Sequence, residues 1–381
     1  MPKSTERLHG VDAARGLALL GMMATHLVAL SDGWGNPSWA ALFSGRASAL
    51  FAVLAGVGLA LSTGREAAPS GRGLAAARAG VLTRAAIIVA IGLTLGLVPT
   101  TAAVILVHYG LLFGLATLFL GMRKRVLAIW LVLWTGLSPV LAQLLRGNAP
   151  ELQQANPTWA DVVDLPTLLS TLFLTGYYPV LQWLAYLIAG LLIGRLALDR
   201  IGIQCALLAC SATVAVLAKL ASAALITPAV HTRLLAADQP SGGLDLALDT
   251  GFYGSTPTDT WWWLAVAGPH SGTPLDLAHT IGTAGTVLAI CLLLCKALGR
   301  HQAAISPLTG AGSMTLTLYS AHVVMLGFIV PVSATTLYLI HALVALAIGG
   351  LFAATGSRGP LELLAHAGSS AARKVVAAGS R

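Results

Sequence analysis

The first apolar segment of the chain carries three side chains that could do chemistry. Residues 11–30 read VDAARGLALLGMMATHLVAL and contain Asp12, Arg15 and His26. On an α-helix, two residues 11 positions apart differ by about 20° after three full turns and by roughly 16 Å along the axis. Arg15 and His26 therefore share a face, and Asp12 can pair with Arg15 across one turn. The pattern predicts a charged anchor at one end of the helix and an imidazole toward the other.

Further polar side chains are predicted at the depth of His26, on the same side of the molecule. They are Arg46, His108, His270, His279 and His322. A neutral imidazole is a natural general base for a hydroxyl or a protonated amine, and a cation or second histidine can stabilise an oxyanion. We predict a catalytic site for acyl transfer. Its members are His26, Arg46, His270 and His322.

Other functions fit the same residues. A helix-to-helix hydrogen bond explains any one of these histidines equally well, so a scaffold protein stays an alternative. Buried His, Asp and Arg also build proton relays, which keeps open a proton-coupled transporter or flippase of a small metabolite or lipid. Three imidazoles could bind zinc, but the chain has no HExxH or comparable spacing, so no metal is expected.

The elements that must hold these side chains are transmembrane helices. The chain of 381 residues is 56% apolar and 9% charged, with a mean hydropathy of +0.81, which is far from a soluble domain. Runs of about 20 apolar residues, enough to cross roughly 30 Å of hydrocarbon, lie near 12–30, 43–62, 80–98, 102–121, 126–145, 177–197, 203–226, 275–297, 308–330 and 333–354. We predict an all-α bundle of about ten spans, forming one integral membrane domain over 1–381. The shorter run 165–174 is predicted to be interfacial or re-entrant.

The distribution of basic residues predicts the orientation. With ten spans and an inner amino terminus, eighteen of the 22 Lys and Arg residues fall on the inner side. They lie in 1–15, 65–84, 123–125, 195–200, 296–300 and 358–381. This bias follows the positive-inside rule, so both termini are predicted to be cytoplasmic in the cell membrane. The net charge of +8 then reflects topology and an anionic inner leaflet, and no nucleic-acid partner is needed.

Two long outer segments, about 146–166 and 227–274, carry four tryptophans, Trp159, Trp261, Trp262 and Trp263. Their position is typical of interfacial aromatic anchors. The alternative is a platform on which sugar rings stack.

The opening RLHGVDAARGLALLGMMATH, residues 7–26, resembles integral-membrane acyltransferases that modify extracytoplasmic sugars. In these proteins an Asp-x-x-Arg-Gly start is followed along the first span by an active-site histidine. The resemblance places that histidine at His26.

The rest of the chain resembles more closely the heparan-α-glucosaminide N-acetyltransferase-like and YeiB-like membrane proteins. The stretches that carry this resemblance are GRASALFAVLAGVGLAL (45–61), YYPVLQWLAYLIAGLLIGRLAL (177–198), PHSGTPLDLAHTIGTAGTVLAICLLL (269–294), LTGAGSMTLTLYSAHVVML (308–326) and RGPLELL (358–364). It implies a multi-helix fold that takes acyl-CoA, with acetyl-CoA as the expected co-substrate, from the inner side. The acyl group would pass to an outer sugar, glycolipid or cell-envelope acceptor, and the chain could form a homo-oligomer.

Arginines on the inner side could hold the phosphates of CoA by charge-assisted bonds. The candidates for the CoA site are Asp12, Arg15, Arg84, Arg125 and Arg195. Ordinary positive-inside residues would explain each of these arginines as well.

The chain departs from the lysosomal member of the resembling family in one respect. There the reactive histidine lies in the outer segment after the first span, but here that segment, SDGWGNPSWAALFSG at 31–45, has none. The position of His26 on the first span corresponds to an Asn in that enzyme. Three interpretations are open: His26 takes over the role of the reactive histidine, His270 supplies it from another loop, or acyl transfer is not the activity. Heparan itself is therefore not the expected acceptor.

Overall fold

The structure is a computed structural model, and it describes residues 8–147, 155–240 and 242–378. Residues 1–7 and 379–381, which entered the orientation prediction, and 148–154 in the first outer loop lie outside this part.

The described chain is built from α-helices joined by turns and by longer loops that contain short 3₁₀ helices. Fifteen are found in it: His9–Leu27 (α1), Arg46–Ser62 (α2), Gly71–Leu95 (α3), Leu106–Ala116 (α4), Lys124–Arg146 (α5), Leu165–Ser170 (α6), Val180–Gly194 (α7), Ile201–Leu225 (α8), Pro228–Ala236 (α9), Leu244–Thr250 (α10), Pro274–Leu298 (α11), Ser306–Ser313 (α12), Thr315–Leu326 (α13), Ala334–Thr355 (α14) and Pro360–Ala378 (α15). These described ranges contain no strand, and only one isolated bridge joins Ser31 to Pro37. The all-α class is confirmed.

The predicted count of about ten spans is not confirmed. Within the described residues, six helical segments are long and apolar enough to cross a bilayer. They are Trp39–Ser62, Gly71–Leu95, Lys124–Arg146, Ile201–Leu225, Pro274–Ser313 and Ala334–Thr355. A seventh results if Leu165–Thr175 and Val180–Gly194, which meet at 56°, count as one broken span. The run 165–174, predicted to be interfacial or re-entrant, is the first arm of this bent pair.

Helix breaks account for most of the difference. The run 102–121 forms only the 11-residue helix α4, which is about 16 Å long and too short to cross alone. The run 308–330 is divided at Met314 into α12 and α13. Hydropathy places a segment in an apolar environment, but it does not reveal where the backbone turns.

Helix α1 lies inside the bundle. It packs against α2, α11, α12 and α14, and 12 of its 19 residues are buried. It is not among the six long apolar segments because Asp12, Arg15 and His26 lower its hydropathy. A helix with such side chains can lie in a membrane protein only where neighbouring helices or water surround them.

A second, smaller core organises the segment between α8 and α11. Val230, Leu234, Phe252, Trp263 and Val266 pack together there. Trp263 is 0% exposed and its indole N–H donates to Asp259 at 2.9 Å. Trp263 is therefore neither an interfacial anchor nor a stacking platform, whereas Trp159, Trp261 and Trp262 are exposed on the surface.

The last helix, α15, completes one end of the bundle. It packs along α3, and it is anchored to α13 by Glu362. The carboxylate of Glu362 accepts from the backbone N–H of Leu316 at 2.6 Å and from that of Thr317 at 3.2 Å. An anionic group at these free N–H groups stabilises the start of α13. The carboxylate of Glu362 is thus engaged in holding two helices together.

Candidate active site

Three histidines from three helices meet inside the bundle. Nδ1 of His26, on α1, lies 3.1 Å from Nε2 of His322, on α13. Nδ1 of His322 lies 2.7 Å from Nδ1 of His341, on α14. His322 and His341 are buried, and His26 is half-buried. The structure therefore brings together two of the four predicted catalytic residues.

Sequence reasoning missed His341. A signal was available, because His341 lies two turns into the apolar helix that follows His322. His26 and His322 were selected at a similar distance from the same end of the bundle, and the same depth criterion would have selected His341.

His26 opens onto a cavity of about 160 Å³. We call this cavity the loop-end cavity, since Tyr253 and His270, from the loop between α10 and α11, line it together with Tyr177 and Tyr178. A further predicted catalytic residue, His270, thus faces the same small space as His26.

His270 is held in an unusual conformation. Its φ angle is +56°, in the left-handed region that costs a non-glycine residue of order 1–3 kcal/mol and that recurs at functional sites. Its ring lies against Tyr177, with centroids 4.4 Å apart, and is parallel to Trp183 within 16°. Its Nδ1 is buried and has no hydrogen-bond partner among the described residues. Burial lowers the pKa of His270 to about 3, so the ring is neutral at physiological pH and can accept a proton or a hydrogen bond.

The other polar residues of the predicted cluster lie elsewhere. Arg46 donates to the carbonyl of Leu42 at 3.1 Å and does not line the loop-end cavity. His279 contacts the carbonyl of Ala215 through Nδ1 at 3.0 Å, which is the helix-to-helix bond considered above. His108 is buried beside Tyr178. The structure does not bring Arg46 to His26.

A larger cavity, of about 610 Å³, lies at the opposite end of α1. We call it the basic-end cavity because Arg15, Arg84 and Arg358 line it. Arg15 and Arg84 belong to the predicted CoA site, whereas Arg358 was not selected. Glu362 also lines the cavity but is engaged at the start of α13. The cavity therefore offers three guanidinium groups to an anionic ligand.

The positive charge of this cavity also acts on a neighbouring histidine. His366 on α15 lines the same cavity. Burial and the nearby guanidinium groups of Arg358, Arg373 and Arg84 lower the pKa of His366. The positive potential that disfavours an imidazolium there favours a phosphate.

Arg15 is fixed from two sides. Its Nη1 contacts Oδ1 of Asp12 at 3.4 Å, as predicted from their spacing, and its Nη2 donates to the carbonyl of Leu54 at 3.4 Å. Gly58 makes room for it, since a Cβ there would lie 2.5 Å from Nη2 of Arg15. Asp12 thus positions Arg15 and does not itself line the cavity.

Arg84 is placed by an aromatic ring. Its guanidinium carbon lies 5.4 Å from the ring centroid of Phe113, within the distance of a cation–π contact. Phe113 lines the same cavity, so the contact holds the cation of Arg84 at the cavity wall.

Tyr319 stands between the two cavities. It lines the basic-end cavity, and its ring centroid is 6.2 Å from that of His26 in an edge-to-face arrangement. The backbone N–H of Ile105 donates to its hydroxyl at 3.3 Å. Nearby, Tyr109 lines the basic-end cavity, and its hydroxyl has no hydrogen-bond partner among the described residues. His26 is therefore one ring away from the space that the arginines surround.

The remaining two candidates for the CoA site lie in a separate recess. Arg125 and Arg195 line a cavity of about 360 Å³ with Arg123 and Lys124. Arg195 is 1% exposed, and its guanidinium donates to the carbonyls of Ala60, Thr63, Arg65, Ala67 and Leu120 at 2.7–3.4 Å. These bonds tie the connections after α2 and α4 to the end of α7, so Arg195 is placed to hold the fold.

The carbonyl cluster around Arg195 predicts a stability effect. Arg195→Gln should destabilise the protein by about 3 kcal/mol or more, because each buried carbonyl left without a donor costs about 1–3 kcal/mol. Thermal unfolding of the purified protein measures this, with Arg125→Gln, an exposed residue of the same recess, as the matched control. A stable Arg195→Gln protein that no longer binds CoA would instead support the role in CoA binding.

Comparison with known proteins adds an independent finding. Residues 7–232 match the family model described as heparan-alpha-glucosaminide N-acetyltransferase, catalytic. No curated protein matches the chain. The matched segment contains Arg15, His26, Arg84 and Tyr109, while His270, His322 and His341 follow it. The match implies a transmembrane acetyltransferase, and it confirms the resemblance seen in the sequence. Because it covers more than half of the 381 residues, the chain belongs to the heparan-alpha-glucosaminide N-acetyltransferase family.

Proposed function

We propose that the protein transfers an acetyl group from acetyl-CoA in the basic-end cavity to a hydroxyl or amine in the loop-end cavity. The position of His26 carries this proposal. His26 lines the loop-end cavity and contacts Tyr319, which lines the basic-end cavity. A general base therefore lies where a thioester from one side and an acceptor from the other can meet.

The basic-end cavity suits the donor. Its volume of about 610 Å³ is within the ordinary range of ligand pockets, about 300–1,000 Å³. The phosphates of CoA would bind Arg84 and Arg358 at the mouth, and the pantetheine arm would point toward Tyr109 and Tyr319. Acetyl-CoA is the donor that the family uses in general. Arg15, held by Asp12, would steady the inner wall of this site.

The loop-end cavity suits the reacting end of the acceptor. At about 160 Å³ it admits one functional group and its immediate neighbours. Its walls include the rings of Tyr177, Tyr178, Tyr253 and His270, which can pack on the apolar face of a sugar and hydrogen-bond its polar groups. The acceptor class is a sugar, glycolipid or other cell-envelope molecule.

The transfer step follows from these positions. His26 removes the proton from the acceptor as its oxygen or nitrogen attacks the thioester carbonyl, and the carbon–sulfur bond breaks to release CoA. The unpartnered hydroxyl of Tyr109 is available to donate to the carbonyl oxygen as it becomes negative. We assign the base to His26 and not to His270, because His26 contacts the wall of the donor cavity and His270 lies on the far side of the acceptor.

The basic end is proposed to face the cytosol and the loop end the exterior, with both termini cytoplasmic in the cell membrane. The positive-inside distribution supports this orientation. Acetyl-CoA then enters from the compartment in which it is made, and the acetyl group reaches the outer surface.

Donor binding gives the simplest test. CoA at 100 times its dissociation constant should stabilise the folded protein by about 2.7 kcal/mol, because only the folded state presents the cavity. The readout is the shift of the thermal unfolding midpoint in detergent, with dephospho-CoA and pantetheine as comparison ligands. We expect the shift to fall in that order as phosphates are removed. No shift with CoA, together with uptake of a small metabolite into proteoliposomes driven by a pH gradient, would favour the transporter.

A further inference from the structure

The contacts between His26, His322 and His341 have the geometry of hydrogen bonds. The ring centroids of His26 and His322 are 5.3 Å apart for a nitrogen distance of 3.1 Å. Those of His322 and His341 are 4.9 Å apart for a nitrogen distance of 2.7 Å. In each pair the centroid distance exceeds the nitrogen distance by about two ring radii. The facing nitrogens therefore lie on the line between the rings, where an N–H or a lone pair points.

We call His26, His322 and His341 the histidine chain. Counting protons leaves only two arrangements in which all three rings are neutral. A neutral imidazole has one N–H and one lone pair. His322 uses both nitrogens, so it must donate to one neighbour and accept from the other. In the first arrangement His26 and His322 are protonated at Nδ1 and His341 at Nε2, which leaves Nε2 of His26 bare. In the second arrangement each proton is on the other nitrogen of the same ring, so His26 and His322 are protonated at Nε2 and His341 at Nδ1. Nε2 of His26 then carries a hydrogen.

We propose that His322 and His341 are positioning residues that switch the tautomer of His26 as a unit and share the proton that His26 takes up. The inference rests on the proposed function, in which His26 is the base. The first arrangement presents a bare nitrogen to the acceptor, and the second presents an N–H donor. His26 cannot change between them without its two neighbours.

The histidine chain can take up and return the proton of the reaction without a further reactant. The acceptor proton binds to Nε2 of His26, and the electron pair it leaves forms the bond to the acyl carbon. The Nδ1 proton of His26 can then shift to Nε2 of His322, and that of His322 to Nδ1 of His341, which spreads one positive charge over three rings. When the carbon–sulfur bond breaks, its electron pair stays on sulfur. The chain then returns one proton through Nε2 of His26 to the CoA thiolate.

The same geometry argues against a shared metal ion. The two contacts use opposite nitrogens of His322, so an ion at either contact would reach only two of the rings. In the described residues no group of three or more His, Cys, Asp and Glu side chains is arranged to hold a metal.

The test is a spectroscopic measurement on the resting protein, without substrate. The full chain is labelled with ¹⁵N-histidine, reconstituted in nanodiscs, and scanned for couplings between nitrogens across N–H···N bonds. We expect one coupling between His26 and His322 and one between His322 and His341. The ratio of Nδ1-protonated to Nε2-protonated tautomers should be the same in His26 and His322 and inverted in His341. His341→Phe should remove the second coupling and change the tautomer ratio of His26, which is two rings away. His279 is a membrane histidine outside the histidine chain. The variant His279→Phe should change neither the two couplings nor the tautomer ratio of His26.

Activity provides a second readout. With radiolabelled acetyl-CoA and D-glucosamine, His341→Gln should lower kcat about 10- to 100-fold with an unchanged KM for acetyl-CoA, the size expected when a partner that orients a functional histidine is lost. Gln can hydrogen-bond to His322 but cannot pass on a proton. Absence of both couplings in the wild type, or an unchanged His26 ratio in His341→Phe, overturns the inference. If both couplings are found in a protein that transfers no acetyl group, the hydrogen-bonded histidine chain is supported and the proposed function is contradicted.

Discussion

Replacing His26 by Gln should lower acetyl transfer by about 10²- to 10⁴-fold, the usual contribution of a general base. Gln fills a similar volume and can contact His322, so the loss should reflect the missing base. Transfer is measured with radiolabelled acetyl-CoA and a cell-envelope extract or D-glucosamine as acceptor. Binding of CoA should be retained, since the arginines of the basic-end cavity are untouched.

The matched control for this variant is His279→Gln. His279 is a histidine of the same bundle that bonds to the carbonyl of Ala215, and its replacement should leave transfer close to the wild-type rate. Equal transfer by the His26→Gln and wild-type proteins would remove His26 from the mechanism. In that case His270→Gln becomes the informative variant, because His270 lines the same cavity.

Replacing both Arg84 and Arg358 by Gln should raise the KM for acetyl-CoA about 100-fold, with kcat changed much less. A hydrogen bond to a charged group contributes about 1.5–3 kcal/mol, and we use the lower figure because both arginines are exposed. Each arginine then accounts for about a factor of ten. The effect should shrink with added salt, which screens exposed charges.

The control for the donor site is Arg125→Gln, in the separate recess at the same end. Its KM for acetyl-CoA should stay within a factor of about two of the wild type. The opposite pattern, a large increase for Arg125→Gln and none for the double variant, would move the phosphates of CoA from the basic-end cavity to the recess.

The sequence was sufficient for the parts of the structure that depend on periodicity. The all-α class and the pairing of Asp12 with Arg15 follow from helical spacing and hydropathy. The meeting of His26 and His322 depends in addition on depth in the bundle, which topology supplies. Helical spacing, hydropathy and depth are properties of whole segments. Small errors in helix boundaries therefore do not affect the predictions made from them.

Other features depend on contacts that one-dimensional patterns do not contain. Arg46 and Arg195 look like ligand-binding cations by type and position, but both donate to backbone carbonyls. Trp263 looks like a membrane anchor but is enclosed by Phe252 and its neighbours. Arg358 lies in a turn between two helices and reaches the basic-end cavity only through the tertiary fold. Whether a polar side chain faces protein or a cavity is decided by the neighbouring elements.

The central claim is that a thioester from the basic end reaches His26. A density map of the protein bound to CoA tests it most directly. The account predicts that the phosphates lie beside Arg84 and Arg358 and that the sulfur points past Tyr109 and Tyr319 toward His26. CoA seated in the recess of Arg123 and Arg125, or with its sulfur directed away from His26, would contradict the account.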